Sequence, residues 1–81
     1  MKVRVLLFAR LREMSGVDRM EMEVPEGATL GDVWRELQAI APPLGRLPRP
    51  PLTARNLEYA GPDTRLSGDD EIAFLPPVSG G

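Results

Sequence analysis

The amino-acid sequence predicts one α+β domain, with a mixed β-sheet and one main helix packed across one face of it. The length of 81 residues leaves room for a single domain. Apolar residues alternate near both ends of the chain, as in strands, and recur with the helical period after residue 29. A domain of this size has a small core. A surface site, or a site completed by a partner, is therefore expected.

The first third of the chain predicts two antiparallel strands with a short helix between them. Apolar residues alternate over residues 3 to 7, and Phe8 ends this first strand. The segment from Ala9 to Ser15 favours a helix that stops at Gly16. The second strand is predicted from Arg19 to Val24, where every second residue is apolar.

The main helix is predicted to begin after Thr29. Thr29 can cap it, and Asp32 follows three residues later, as in a capping box. Its apolar residues fall on one stripe and are Leu30, Val33, Trp34, Leu37 and Ile40. Pro42 ends the helix. The segment from Pro42 to Pro51 contains five prolines and is predicted to be a rigid irregular loop.

The last third of the chain predicts the remaining strands. Leu52 to Ala60 is interpreted as a strand pair or one bent strand, and Glu71 to Leu75 as the last strand. A helix that crosses from the second strand to a later one gives one parallel pairing. This order is the general layout of the ubiquitin-like β-grasp. The predicted domain covers residues 1–77, and residues 78–81 are predicted to be a flexible tail.

The composition excludes several classes of function. The chain has no cysteine and no histidine, so thiol catalysis, thiolate metal sites and histidine proton transfer are absent. The net charge of −2 and the spread of basic residues predict no nucleic-acid partner. No apolar run has membrane-spanning length, and the charged start is unlike a signal peptide, so a cytoplasmic location is expected. Scarce Asn and Gln with nine prolines suit a thermophile, although a GC-rich genome gives the same bias.

Three side-chain clusters are interpreted as structural. Asp69, Asp70 and Glu71 could bind a hard cation, but neighbours entering a strand point to opposite faces, so a solvated turn is predicted. The period-2 pattern places Met20 and Met22 in the core. An arginine set is interleaved with acidic residues and is interpreted as a soluble surface, with Arg12 as the exception; its members are Arg4, Arg10, Arg12 and Arg19.

The carboxyl terminus is the candidate reactive group. By average glycine usage, about 0.5% of chains end in two glycines by chance, so Gly80-Gly81 alone is modest support. Pro76-Pro77 is expected to stiffen the exit from the last strand, and Val78 to Gly81 can span about 13 Å. Glycine lets a main-chain end enter a narrow channel of a partner. Joining the Gly81 carboxylate to AMP would make it an acyl electrophile for a sulfur nucleophile. Because the chain has no cysteine, sulfur and activation must come from other proteins.

Two segments carry a resemblance to the small-subunit family of molybdopterin synthase. One is Leu-Phe-Ala-Arg-Leu-Arg-Glu at residues 7–13, and the other is residues 68–81, which close in Pro-Pro-Val-Ser-Gly-Gly. The resemblance implies a β-grasp fold and a role in molybdenum cofactor biosynthesis. It also implies that the chain binds no cofactor or metal and is not an enzyme on its own.

The same resemblance implies the reaction and the partners. A ubiquitin-activating-like adenylyltransferase uses ATP to activate Gly81, and a sulfurtransferase converts it to a thiocarboxylate. The tail of Val78, Ser79, Gly80 and Gly81 then enters the large subunit, where sulfur passes to cyclic pyranopterin monophosphate. Two small and two large subunits form a heterotetramer. The implied partner-binding residues are Phe8, Arg12, Tyr59 and Leu75.

Two alternative functions remain open at this stage. A related sulfur carrier or protein modifier, serving thiamine, tRNA thiolation or lysine conjugation, would have the same tail and a different partner. A non-catalytic β-grasp interaction module with a frayed end would have no reaction at Gly81. The long motif around Phe8 and the closing motif favour the synthase subunit.

Overall fold

A computed structural model describes residues 1–76 and shows a five-stranded mixed sheet with two α-helices. Along the chain the elements are β1 (Lys2–Leu7), α1 (Ala9–Ser15), β2 (Arg19–Glu23), α2 (Leu30–Ile40), a 3₁₀ helix (Pro42–Arg46), β3 (Leu52–Arg55), β4 (Glu58–Tyr59) and β5 (Glu71–Leu75). The strand order across the sheet is β2-β1-β5-β3-β4. The predicted α+β class and the mixed sheet are confirmed, and Leu52 to Ala60 forms a strand pair.

The position of the parallel pairing corrects the sequence prediction. The parallel neighbours are β1 and β5, with Val5 opposite Ile72 and Leu7 opposite Phe74. The predicted pairing of the second strand with a later one is wrong, because β2 pairs only with β1 and forms an edge of the sheet within the described residues. The two strands with the strongest apolar alternation therefore lie side by side in the centre.

The core lies between the sheet and α2. Alternate residues of the central strands point inward, and Val3, Val5, Ile72 and Phe74 are almost completely buried. From α2, the core receives Leu30, Val33 and Leu37. Trp34 packs at its edge, with its ring 5.2 Å from that of Phe74. Ile40 lies on the predicted stripe but is 52% exposed, because it is the last residue of α2.

The helix ends follow local sequence signals. Thr29 Oγ1 accepts a hydrogen bond from the Asp32 N–H at 3.2 Å, and Asp32 Oδ2 accepts one from the Thr29 N–H at 2.9 Å. This capping box confirms the predicted start of α2. The Thr29 backbone and hydroxyl hydrogen bonds hold the pKa of Asp32 below its usual value. Gly16 ends α1 in the left-handed conformation, with φ of 75°.

The proline-rich segment is more regular than the sequence predicts. Pro42–Arg46 forms a 3₁₀ helix, where prolines are tolerated in the first turn because those N–H groups need no helical partner. This turn buries Leu44 completely beneath the helices. The interpretation of the whole segment as an irregular loop is therefore corrected for its first half. No helix within residues 1–76 is both long and apolar enough to cross a bilayer.

Candidate docking site

The outer face of the sheet, opposite α2, is divided into a charged half and an apolar half. On β1 and β2 the outward residues form opposite-charge pairs across the strands, with Lys2 opposite Glu23 and Arg4 opposite Glu21. Over β5, β3 and β4 the outward residues are mostly apolar, and Glu71 at the start of β5 is a charged exception. They line a groove of about 320 Å³, named here the docking groove, formed by Leu6, Phe8, Ala54, Leu57, Tyr59, Glu71, Ala73 and Leu75.

The strand register explains the shape of the docking groove. Ala73 lies opposite Ala54 on β3 and beside Leu6 on β1. Because Ile72 and Phe74 point into the core, Ala73 and Leu75 must point outward. Small alanines at the centre leave a depression, and larger side chains from the strand ends surround it. Most of its lining is apolar and open to solvent, as at sites that bind another protein.

Phe8 is exposed because of the backbone that follows it. Its N–H donates to the Phe74 carbonyl at 3.2 Å, which continues the pairing of β1 with β5. Ala9 then adopts a positive φ of 49°, so the chain turns sharply into α1. The Phe8 side chain remains 44% exposed at the rim of the groove. A large aromatic ring is thereby available to a partner.

The structure brings three of the four predicted partner-binding residues together. Phe8, Tyr59 and Leu75 all line the docking groove, and Tyr59 is 77% exposed. Arg12 does not line it; it is an exposed residue of α1. Within residues 1–76 its side chain forms no ion pair. Three of the four predicted residues thus form one apolar cluster, and Arg12 is a cation that lies outside it.

Sequence reasoning did not identify Leu57 as a surface residue of the site. It sits in the two-residue turn between β3 and β4, is 92% exposed, and lines the groove beside Tyr59. A signal was present, because Asn56 favours a left-handed turn and places the following residue at a hairpin tip. Leu6, Ala54 and Ala73 were also missed, since their outward direction depends on the register of three strands.

The prediction for the acidic turn before β5 is also corrected. Asp70 was predicted to be solvated, but it is only 5% exposed. Its carboxylate accepts hydrogen bonds from Arg55 Nε at 2.7 Å, the Ser67 N–H at 2.7 Å and Asn56 Nδ2 at 3.0 Å. The sequence places these partners up to fifteen residues away, so local reasoning did not find them. Within residues 1–76 no group of acidic side chains is arranged to hold a metal ion.

The charge state of Asp70 follows from these contacts. Burial acts to raise the pKa of its carboxyl, because it disfavours the charged form. The hydrogen bonds from Arg55, Ser67 and Asn56, with the charge of Arg55, outweigh burial, and the pKa lies below its usual value. Asp70 is therefore an ionised structural group that joins the β3–β4 turn to the start of β5.

The candidate reactive terminus follows the docking groove along the chain. Leu75 is the last residue of β5 and lines the groove, and Gly81 follows six residues later. The predicted tail of Val78, Ser79, Gly80 and Gly81 lies outside the described residues, as does the predicted boundary after residue 77. The strand that leads to the terminus thus passes directly beside the exposed apolar surface.

The chain is similar to proteins of known type over its whole length. The ThiS family model matches residues 5–81. A molybdopterin synthase sulfur carrier subunit from Chlamydomonas reinhardtii is 36% identical, and the match covers 100% of both chains. This similarity confirms the resemblance predicted from the two sequence motifs.

Solved structures agree with the fold. The crystal structure of small archaeal modifier protein 1 from Haloferax volcanii matches with a TM-score of 0.85 and 32% identity, covering 100% of both chains. A chain in the protein–protein complex of subunits 1 and 2 of the molybdopterin-converting factor from Helicobacter pylori matches with a TM-score of 0.68 and 23% identity, again over 100% of both chains. The predicted β-grasp fold is confirmed. The chain belongs to the ThiS family, in which it stands with the molybdopterin synthase sulfur carrier subunits.

Proposed function

We propose that the chain carries sulfur on its C-terminal glycine for molybdopterin synthase. The observation that most supports this proposal is the position of the docking groove. Leu75, at the end of β5, lines the groove and lies six residues before Gly81. A partner seated on this groove therefore contacts a residue that lies six positions before the chain terminus. Similarity to synthase sulfur carrier subunits supports this reaction.

The chemistry at Gly81 proceeds in two steps. A terminal carboxylate oxygen attacks the α-phosphate of ATP, and pyrophosphate leaves, giving an acyl-adenylate. Hydrosulfide delivered by a sulfurtransferase then attacks the acyl carbon and displaces AMP, giving the thiocarboxylate with loss of one proton. The chain has no cysteine or histidine. It is therefore the substrate of other enzymes, and the adenylyltransferase provides the ATP site.

The final acceptor is cyclic pyranopterin monophosphate, held by the large subunit of the synthase. Gly81 enters that subunit first, followed by Gly80, Ser79 and Val78, because chain ends poor in side chains fit narrow channels. Phe8, Tyr59 and Leu75 supply apolar contact, and Arg12 supplies a separate ionic contact at the periphery. Two small and two large subunits form the working heterotetramer, which we place in the cytoplasm.

One surface serves the partners in turn. The docking groove is the main exposed apolar surface near the end of β5 in the described part of the chain. The adenylyltransferase and the large subunit both need to hold the body of the domain while Gly81 enters their active sites. We therefore propose that they compete for the docking groove, and that release from one precedes binding to the other.

A second function has a specific observation in its favour. The fold matches small archaeal modifier protein 1 with a TM-score of 0.85. A chain whose glycine carboxylate is activated can acylate an amine as well as accept sulfur. The alternative product is a conjugate in which Gly81 is joined to a lysine of another protein.

A reconstituted reaction tests the proposed function. The thiocarboxylated chain, the large subunit and cyclic pyranopterin monophosphate are combined, and formation of the dithiolene product is measured. The proposal expects product formation that consumes the thiocarboxylate and that stops when the chain is supplied as the carboxylate. No product with an active large subunit would contradict it. An amide-linked conjugate formed with activating enzyme and cell protein would support the alternative.

A further inference from the structure

The tip of the β3–β4 hairpin has an unusual backbone. Asn56 and Leu57 are the two turn residues, and their φ angles are 50° and 72°. Positive φ at both positions is the pattern of a type I′ turn, which favours Asn followed by Gly. Asn56 meets this preference, but Leu57 does not. A bulky residue in the left-handed region is strained, because its Cβ approaches the backbone.

Within residues 1–76, very little of the Leu57 side chain is covered by other residues, so packing does not offset this strain. Leu57 is 92% exposed, whereas the buried leucines of the core are almost completely enclosed. A glycine at this position would relieve the backbone and leave the core unchanged. Strained and exposed apolar residues of this kind concentrate at sites that act on another molecule.

A set of hydrogen bonds around the buried Asp70 carboxylate and the start of β5 holds the hairpin tip in place. The Asn56 N–H donates to the Glu71 carbonyl at 2.8 Å, and Asn56 Oδ1 accepts from the Glu71 N–H at 2.9 Å. Asn56 Nδ2 donates to Asp70 Oδ1 at 3.0 Å, and Arg55 Nε donates to Asp70 Oδ2 at 2.7 Å. Asp70 thus holds both residues that precede Leu57. The tip is fixed to the start of β5 rather than free to move as an ordinary surface turn.

The fixed tip presents Leu57 beside the docking groove. Tyr59 pairs with Ala54 two positions further along the hairpin, and both line the same groove as Leu57. Because the backbone of the tip is already fixed, it loses little further conformational entropy when the Leu57 side chain enters a pocket. We propose that Leu57 is an anchor that enters an apolar pocket of the large subunit, and that Asp70 is the residue that positions it. This inference rests on the proposed function, which gave no role to either residue.

Replacing Leu57 by glycine tests the anchor. In Leu57→Gly the turn strain is relieved, so the thermal midpoint is expected to be equal to or higher than that of the unchanged chain. The affinity for the large subunit is expected to fall about tenfold or more, as for a central apolar contact. Ile40→Ala is the matched control, since Ile40 is an exposed aliphatic residue on the helix side, and it is expected to leave the affinity unchanged. Unchanged affinity in folded Leu57→Gly would overturn the proposal.

A double-mutant cycle tests the positioning role of Asp70. Asp70→Asn is expected to weaken binding in the presence of Leu57 and to have little further effect in the Leu57→Gly background, because the residue that it positions is gone. Equal losses in both backgrounds would overturn the positioning role, even if both variants fold. Circular dichroism and the thermal midpoint verify that each variant is folded.

Binding measurements on further variants distinguish a failure of this inference from a failure of the proposed function. Phe8→Ala and Leu75→Ala are measured beside Leu57→Gly. If all three bind normally, the docking groove is not the contact surface and the proposed function loses its site. If the first two weaken binding and Leu57→Gly does not, the groove is retained and only the anchor is refuted.

Discussion

A substitution at Tyr59 distinguishes most clearly between an effect on folding and an effect on binding to the large subunit. Tyr59 is 77% exposed in the free domain and contributes little to the core. Truncation to alanine is therefore expected to change the free energy of unfolding by no more than about 0.5 kcal/mol. Binding to the large subunit should respond much more strongly, because a seated partner would remove the exposed part of the ring from water.

The size of the binding effect follows from the exposed area. An aromatic side chain of this exposure presents about 150 Å² to a partner. At about 25 cal/mol for each Å² buried, the contact is worth at most about 4 kcal/mol. Interface anchors of this type lose about 2 kcal/mol or more on truncation, and each 1.4 kcal/mol is about tenfold in the dissociation constant. Tyr59→Ala is thus expected to weaken binding at least about 30-fold.

Titration calorimetry with the purified large subunit measures this change directly. Tyr59→Phe retains the ring and is expected to bind within about threefold of the unchanged chain, since most of the contact is apolar. Chemical denaturation of each variant supplies the stability comparison. Binding of folded Tyr59→Ala within a factor of about two of the unchanged chain would refute the assignment of the groove as a docking surface.

Further predictions concern the terminus and the structural contacts. Deleting Gly81, or adding one residue after it, is expected to abolish sulfur transfer with no change in the thermal midpoint, and synthase turnover measures this. Gly80→Val is expected to fold normally and to lose turnover, because a branched side chain obstructs a narrow channel. Asp70→Ala is expected to destabilise the domain by about 1–3 kcal/mol, since it removes the acceptor of three partly buried hydrogen bonds; urea unfolding measures it. Thr29→Ala removes half of the capping box and is expected to cost about 1 kcal/mol by the same measurement.

The pH dependence of stability provides a control for Asp70. Its folded pKa lies below the unfolded value, so its contribution is fully present above the unfolded pKa of about 4 and is lost as the pH falls through the folded pKa. The free energies of unfolding of the wild-type chain and of Asp70→Asn should therefore approach each other at pH values below the folded pKa of Asp70. A stability difference that stays constant into strong acid would contradict the ionised assignment.

The elements with strong local patterns were predictable from the sequence. Thr29 and Asp32 fix the start of α2 through short-range hydrogen bonds, and the period-2 alternation of β1 and β5 reflects burial of one face. Local pattern does not encode which strands become neighbours. The parallel pairing of β1 with β5 depends on where the chain returns after α2, so the predicted pairing with the second strand was wrong.

The docking groove was only partly predictable for the same reason. Phe8, Tyr59 and Leu75 were named from a family resemblance, and their meeting on one face depends on the order of β1, β5, β3 and β4. Leu57 was missed although Asn56 gives a local turn signal before it, and Asp70 was missed because its burial depends on contacts distant in the sequence. An aspartate in a run of three acidic residues gives no local sign that Arg55 will meet it.

The mass of the chain after activation tests the central claim most directly. The full-length chain is incubated with ATP, the activating adenylyltransferase and a sulfur source, and its intact mass is measured, with fragmentation to locate any change. Conversion of the Gly81 carboxylate to a thiocarboxylate predicts a mass gain equal to the exchange of one oxygen atom for one sulfur atom, confined to the last residue. An unchanged mass in the presence of an active adenylyltransferase, or a modification at any other residue, would contradict the role of Gly81 as the sulfur carrier.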